Sequence, residues 1–110
     1  MRDVKQATKP PRRYPRVDLP RGPQIAWRGS SGASVGTITT VSLGGLYIST
    51  DDPAEPGTTL RLLFDAPDGE IRARADVRYV VPCEGMGVQF VNMSYEARAR
   101  LYQLLRRLLK

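Results

Sequence analysis

The central part of the chain alternates between apolar and polar residues, as strands with one buried face do. In "IRARADVRYVV", Ile71, Ala73, Ala75, Val77 and Tyr79 alternate with charged residues. Successive side chains of a strand point to opposite faces, so this pattern predicts one buried and one solvated face. Neighbouring segments are also rich in strand-forming residues: "QIAWRG", "ASVGTITTVSLGGLYIST", "TTLRLLFDA" and "MGVQFVNM".

Turn-forming residues separate these segments. "SLGG" divides the second segment into two strands, "DDPAEPG" is typical of a loop, and "PDGE" and "PCEG" are typical of tight turns. Five or six short consecutive strands joined in this way predict a meandering or Greek-key barrel. Closing the sheet would remove exposed strand edges from a small domain.

The C-terminal segment "SYEARARLYQLLRRLLK" changes to helical spacing, with Ser94 as a plausible N-cap. Its apolar stripe, which we expect to pack on the barrel, consists of Ala97, Leu101, Leu104, Leu105 and Leu108. Basic residues near the end suit the negative end of the helix dipole. A membrane-surface role is the alternative for such a basic amphipathic helix.

The N-terminal part has a different character. Residues 1–10 are polar, lack periodicity and predict a flexible tail. Residues 11–23 are rich in proline and predict a connector that carries arginines. With the barrel at 24–92 and the helix at 94–109, the sequence predicts a single domain over 11–110, a size that suits one hydrophobic core.

Composition agrees with a folded protein, with 41% hydrophobic and 25% charged residues. No apolar run approaches the roughly 20 residues that cross a bilayer, and no N-terminal segment resembles a secretory signal. Cys83 is the only cysteine, so no intrachain disulfide can form. We therefore expect a cytoplasmic protein.

The net charge of +6 is concentrated at the two ends. Residues 1–28 carry eight Lys/Arg and two Asp/Glu, residues 29–93 carry four and eight, and residues 94–110 carry five and one. This distribution favours an anionic partner bound near the ends of the chain, although solvated termini would have the same composition.

The residues for most catalytic chemistry are missing from the sequence. The chain has no histidine, and one cysteine without a carboxylate cluster predicts no metal site and no cofactor. Ser42 has no histidine base, and the lysines lie only in the N-terminal tail and at the C-terminus. We therefore predict a binding protein rather than an enzyme.

Two short segments carry binding chemistry. In "PRRYPR", prolines keep Arg12, Arg13 and Arg16 out of a helix, and guanidinium groups can bind phosphate, read a guanine edge or stack on a base. In "TTVSLGG", Ser42 offers a hydroxyl, and Gly45 permits a close backbone approach and a positive φ.

Together these segments resemble the PilZ domain, whose motifs are R-x-x-x-R and, on a strand turn, [D/N]-x-S-x-x-G. Arg12 and Arg16 match the first motif, Ser42 and Gly45 match the second, and the similarity extends over roughly residues 10–108. The resemblance implies a six-stranded antiparallel β-barrel with a C-terminal helix. It also implies a bacterial receptor for cyclic di-GMP, held by Arg12, Arg16, Ser42 and Gly45, with Arg13 as a further candidate.

Thr40 departs from the second motif, where the family has Asp or Asn. A threonine hydroxyl keeps at most one of the hydrogen bonds that a carboxylate or amide oxygen makes to guanine, which predicts weakened binding. The main hypothesis is a cyclic di-GMP receptor that changes conformation and signals to a downstream protein, as a monomer or homodimer. The alternatives are an adaptor of the same fold that has lost the ligand and, with less support because aromatics are only 7% of the chain, a nucleic-acid-binding barrel.

Overall fold

The computed structural model describes residues 16–20, 22–30 and 32–108. In this part of the chain, seven strands precede one helix, α1. The elements are β1 Val17–Asp18, β2 Gln24–Gly29, β3 Gly32–Val41, β4 Gly45–Ser49, β5 Thr59–Ala66, β6 Gly69–Val81, β7 Gly85–Met93 and α1 Tyr95–Leu108.

Six of the strands close into an antiparallel barrel. The sheet order is β1-β3-β2-β5-β6-β7-β4, and a further pairing of β3 with β4 closes the ring. This architecture confirms the six-stranded barrel with a C-terminal helix. The additional strand β1 pairs with β3 outside the ring, within the segment that was predicted to be a connector.

The barrel interior is filled by alternate residues of the six strands. Several of these side chains, such as Ile25, Leu60 and Ile71, are at most 1% exposed. Ala97, Leu101 and Leu105 from α1 join the same cluster, so the helix completes the hydrophobic core. Burial of this apolar surface is the main stabilising contribution to the fold.

The helix begins at an N-cap, as the sequence predicts. The Ser94 hydroxyl accepts a hydrogen bond from the Ala97 N–H at 3.0 Å. Further along, Arg100 Nη1 donates to the Glu70 carbonyl oxygen at 2.7 Å and fastens α1 to the β5–β6 hairpin. The predicted apolar stripe is too long by one residue, because Leu108 is 37% exposed.

Two β-bulges change the direction of side chains near the turn between β3 and β4. The register of β3 against β4 shifts between Ile38 and Thr40, and that of β6 against β7 shifts between Val77 and Tyr79. An extra residue reverses the inside–outside alternation beyond it. Tyr79 therefore lies on the outer face, and its predicted place on the buried face of β6 is wrong.

The division of the chain into a tail, a connector, a barrel and a helix stays a prediction, since residues 1–15 lie outside the described residues. Among the residues that are described, no helix is both long and apolar enough to span a bilayer. The same residues contain no group of three or more His, Cys, Asp or Glu side chains that could hold a metal ion.

Candidate functional site

The turn between β3 and β4 is held by the side chain of Ser42. Its hydroxyl oxygen accepts hydrogen bonds from the N–H groups of Gly44 at 3.1 Å and Gly45 at 3.2 Å. The hydroxyl also lies 3.3 Å from the Gly45 carbonyl oxygen, to which it donates. Ser42 is only 8% exposed, so in this structure the hydroxyl fixes the shape of the turn.

Gly45 is required by close packing of β4 on β7. A Cβ at this position would overlap the carbonyl oxygen of Val88 on the neighbouring strand. Its φ is not positive, so the left-handed conformation that a glycine permits is not used at Gly45. The absence of a side chain instead lets the two strands approach each other directly beneath the turn.

Strand β1 brings the end of the arginine segment to this turn. Val17 pairs with Val41 and Asp18 with Thr40, and the Leu19 N–H donates to the Thr39 carbonyl oxygen at 2.8 Å. One further step in this antiparallel register would place Arg16 opposite Ser42. Arg16 is partly buried and directly precedes the strand.

Arg12 and Arg13 lie outside the described residues. Of the predicted site residues, the structure therefore brings together Arg16, Thr40, Ser42 and Gly45.

Thr40 faces a carboxylate on the neighbouring strand. Its hydroxyl donates to Asp18 Oδ1 at 3.5 Å, a long and weak hydrogen bond on the protein surface. Asp18 is exposed, and its remaining lone pairs are accessible from solvent. A carboxylate is thus present beside position 40, supplied by β1 instead of by β3.

The outer face continues from Thr40 across three more strands. Thr40 pairs with Tyr47, Tyr47 with Gly87, and Gly87 with Tyr79. The two tyrosine rings lie 6.2 Å apart between centroids, at an interplanar angle of 31°. A Cβ at Gly87 would overlap the Tyr79 ring, so this glycine lets the ring approach the backbone of β7 closely.

These tyrosines and Asp18 were not among the predicted site residues. Tyr47 could have been found from the sequence, because it lies between the apolar residues Leu46 and Ile48 of a short strand and must point outward. Desolvation, followed by the nearby Tyr79 and Glu84, raises the pKa of Tyr47 above its ordinary value. An ordinary phenol is already neutral at physiological pH, and the shift extends its range as a hydrogen-bond donor to more alkaline pH.

This face offers three kinds of recognition side by side. Arg16 supplies a cationic fork for phosphate or a guanine edge, and Asp18 supplies acceptors for ring N–H groups. Tyr47 and Tyr79 supply phenol groups and ring surface against which a base could stack. Such a combination suits a ligand that has both flat bases and phosphates.

Comparison with known proteins gives the family. A model of the PilZ domain matches residues 10–107. The chain belongs to the PilZ domain family. This assignment confirms the resemblance that was based on the two motifs. A search of curated proteins gave no significant match.

Solved structures of PilZ proteins share the fold. The inhibitor of motility MotI/DgrA of Bacillus subtilis has a TM-score of 0.73 and 20% identity, over 92% of this chain and 53% of that chain. The MrkH–c-di-GMP complex of K. pneumonia has a TM-score of 0.69 and 21% identity, over 92% and 52%. This PilZ chain thus spans about half the length of those two proteins.

A third structure has nearly the same extent as this chain. The PilZ domain of YcgR from Escherichia coli with c-di-GMP has a TM-score of 0.65 and 18% identity, over 91% of this chain and 90% of that chain. At such low identity the likeness establishes the fold, and the ligand must be argued from the residues of this chain.

Proposed function

We propose that this PilZ chain binds cyclic di-GMP on the outer barrel face formed by β1, β3, β4, β7 and β6. The observation that supports the proposal most directly is the pairing of β1 with β3, in which Val17, the residue after Arg16, lies opposite Val41, the residue before Ser42. An arginine can bind both the phosphates and the guanines of this ligand. Arg12 and Arg13, in the preceding segment, would make further contacts of the same kind with the ligand.

Asp18 is proposed to replace the carboxylate that the family has at position 40. Guanine presents N1–H and N2–H donors, which a carboxylate accepts as a pair. Asp18 lies directly across from Thr40 and is exposed on the same face. Position 40 can therefore be threonine without removing the acceptor from the site.

Ligand binding would act on the protein through β1. This strand has only two residues and joins the barrel on one side, by its pairing with β3. A ligand that contacts both Arg16 and the barrel would stabilise the docked position of β1 and of the segment before it. The altered position of that segment is what a downstream protein partner would recognise.

Titration calorimetry with cyclic di-GMP tests the proposal. We expect the wild-type protein to bind at micromolar concentrations and Arg16→Ala to bind at least about tenfold more weakly, because a charged hydrogen-bonding group is lost. Arg98→Ala, an exposed helix arginine away from the motif turn, should bind like the wild type. Absence of heat from the wild type at tens of micromolar ligand would contradict the proposal.

A second candidate is an adaptor of the same fold that no longer binds the ligand. Its support is the hydrogen bond between Thr40 and Asp18, which engages both side chains without a ligand. The double variant Asp18→Asn/Thr40→Asp returns the carboxylate to β3. If that variant binds cyclic di-GMP and the wild type does not, the adaptor function is favoured.

A further inference from the structure

Three arginines form a row on the outer face of the barrel. Arg28 of β2 pairs with Arg61 of β5, and Arg61 pairs with Arg74 of β6. All three residues are exposed, and they alternate with buried neighbours such as Trp27, Leu62 and Ala75. Directly opposite residues have their Cβ atoms about 5 Å apart, so three positive charges lie side by side on three strands.

Within residues 16–20, 22–30 and 32–108, no salt bridge involves the arginines of this row, Arg28, Arg61 and Arg74. Of the three acidic residues on the same strands, Asp65 of β5 lies opposite Glu70, and the other two have partners outside the row. Asp76 accepts a hydrogen bond from the Thr59 hydroxyl at 2.8 Å, and Glu70 pairs with Arg72 at 3.2 Å.

Such a row is unfavourable for the free protein. Like charges directly opposite each other on neighbouring strands destabilise a sheet. One replacement of Arg61 by a neutral residue would remove both of its repulsive contacts in the row. A surface that keeps this arrangement is suited to an anionic partner, whose binding would relieve the repulsion.

The row crosses a groove of about 810 Å³. Small and aliphatic side chains line the groove between the arginines, among them Ala26, Ala33, Leu63 and Val35. Val35 is 60% exposed, whereas the Trp27 side chain is buried in the barrel at 6% exposure. The groove therefore combines cationic and aliphatic contacts and offers no exposed aromatic ring for stacking a base.

This groove is separate from the candidate cyclic di-GMP site. In the closed ring β5 lies across the barrel from β4, because two strands separate them on either side. Along β3, the partner of Arg28 is Ala33, seven residues before Thr40. At about 3.3 Å per residue, that distance is roughly 23 Å.

We propose that the groove binds an extended acidic segment of a partner protein, with carboxylates alternating with aliphatic side chains. Successive side chains of an extended segment point to opposite sides. The segment would therefore lie edge-on between the arginine row and the neighbouring row of Val35, Ala26 and Leu63. Its glutamates would point to the arginines and its aliphatic side chains to Val35 and Leu63. The strands β2, β5 and β6 each have a paired strand on both sides, so recognition relies on side chains and not on strand addition. The proposal does not depend on cyclic di-GMP binding.

The test measures the binding of a fluorescein-labelled octapeptide of alternating glutamate and valine by fluorescence anisotropy at low salt. We expect the wild type to bind this peptide and not to bind the same peptide with lysine in place of glutamate. The triple variant Arg28→Gln/Arg61→Gln/Arg74→Gln should bind about tenfold or more weakly, given the modest contribution of each exposed ion pair. Arg98→Gln, which removes one exposed helix arginine, should bind like the wild type.

Thermal unfolding provides a second readout that a structural role of the arginines would not give. Arg61→Gln should raise Tm, and added salt should reduce the difference because it screens the repulsion. A lower Tm for Arg61→Gln, or peptide binding that the triple variant retains, would overturn the proposal. Absence of wild-type binding would also overturn the proposal. The same holds if single-stranded oligonucleotide or phosphatidylglycerol vesicles displace the labelled peptide at lower concentrations than the unlabelled peptide does.

Discussion

Replacing Thr40 by aspartate restores the residue that the family motif contains, yet the structure predicts that this substitution lowers the stability of the folded protein. Asp18 lies directly across from position 40, at the edge of the sheet. Two carboxylates about 5 Å apart repel each other by about 0.8 kcal/mol in a water-like dielectric. The repulsion acts on the short strand β1 and would displace Arg16 from the turn.

The effect of the repulsion on stability can be separated from that of the poor strand propensity of aspartate. Thr37→Asp is the matched control, because Thr37 lies on the same strand and pairs with the uncharged residues Gln24 and Ser49. Both variants lose the strand propensity of threonine, up to about 1 kcal/mol. Only Thr40→Asp adds the repulsion and loses the weak hydrogen bond to Asp18, so its Tm should lie at least about 4 °C below that of Thr37→Asp at low salt.

The assay is thermal unfolding followed by circular dichroism, at low salt and at 1 M salt. Because the pair is exposed, the difference between the two variants should nearly disappear at 1 M, where the Debye length is about 3 Å. Adding Asp18→Asn should raise the Tm of Thr40→Asp and leave that of Thr37→Asp unchanged. Equal Tm values for the two single variants at low salt would refute the reasoning, as would failure of Asp18→Asn to rescue Thr40→Asp.

Three further changes test the core and the tyrosine face. Leu101→Ala, at a fully buried position, should lower the free energy of unfolding by about 3 kcal/mol in urea titrations, whereas Leu108→Ala should cost less than about 1 kcal/mol. The raised pKa of Tyr47 means that stability is lost as the pH rises above about 10, so Tyr47→Phe should reduce that loss in alkaline unfolding curves. Gly87→Ala, whose Cβ would overlap the Tyr79 ring, should lower Tm and weaken cyclic di-GMP binding, and unchanged values would show that the ring moves freely.

Hydrogen bonds and close packing at the turn between β3 and β4 give Ser42 and Gly45 a structural part in the site. The Ser42 hydroxyl is engaged by Gly44 and Gly45, and Gly45 packs on Val88. Substituting either residue would therefore alter the turn itself. Loss of ligand binding in such a variant would not by itself identify a ligand contact, and for this reason Arg16 and Asp18 are the better probes.

The sequence by itself determined most of the fold. Alternation in β6, strand-forming residues in the other segments and the turn residues between them located the barrel strands, and the change of period after Ser94 located the helix. These elements can be predicted because each buries one face, which produces a periodic pattern of apolar residues within a short stretch of sequence. The spacing of Arg12, Arg16, Ser42 and Gly45 was likewise sufficient to recognise the family.

Only the tertiary structure decided which residues lie together on the candidate ligand face and in the arginine-lined groove. Strand β1 is too short for a recognisable pattern and exists because β3 offers it a partner, which is how Asp18 reaches Thr40. The bulge before Tyr79 turns that side chain from the core to Tyr47. Strand register brings together residues that are far apart in sequence, and a one-residue shift moves a side chain to the opposite face.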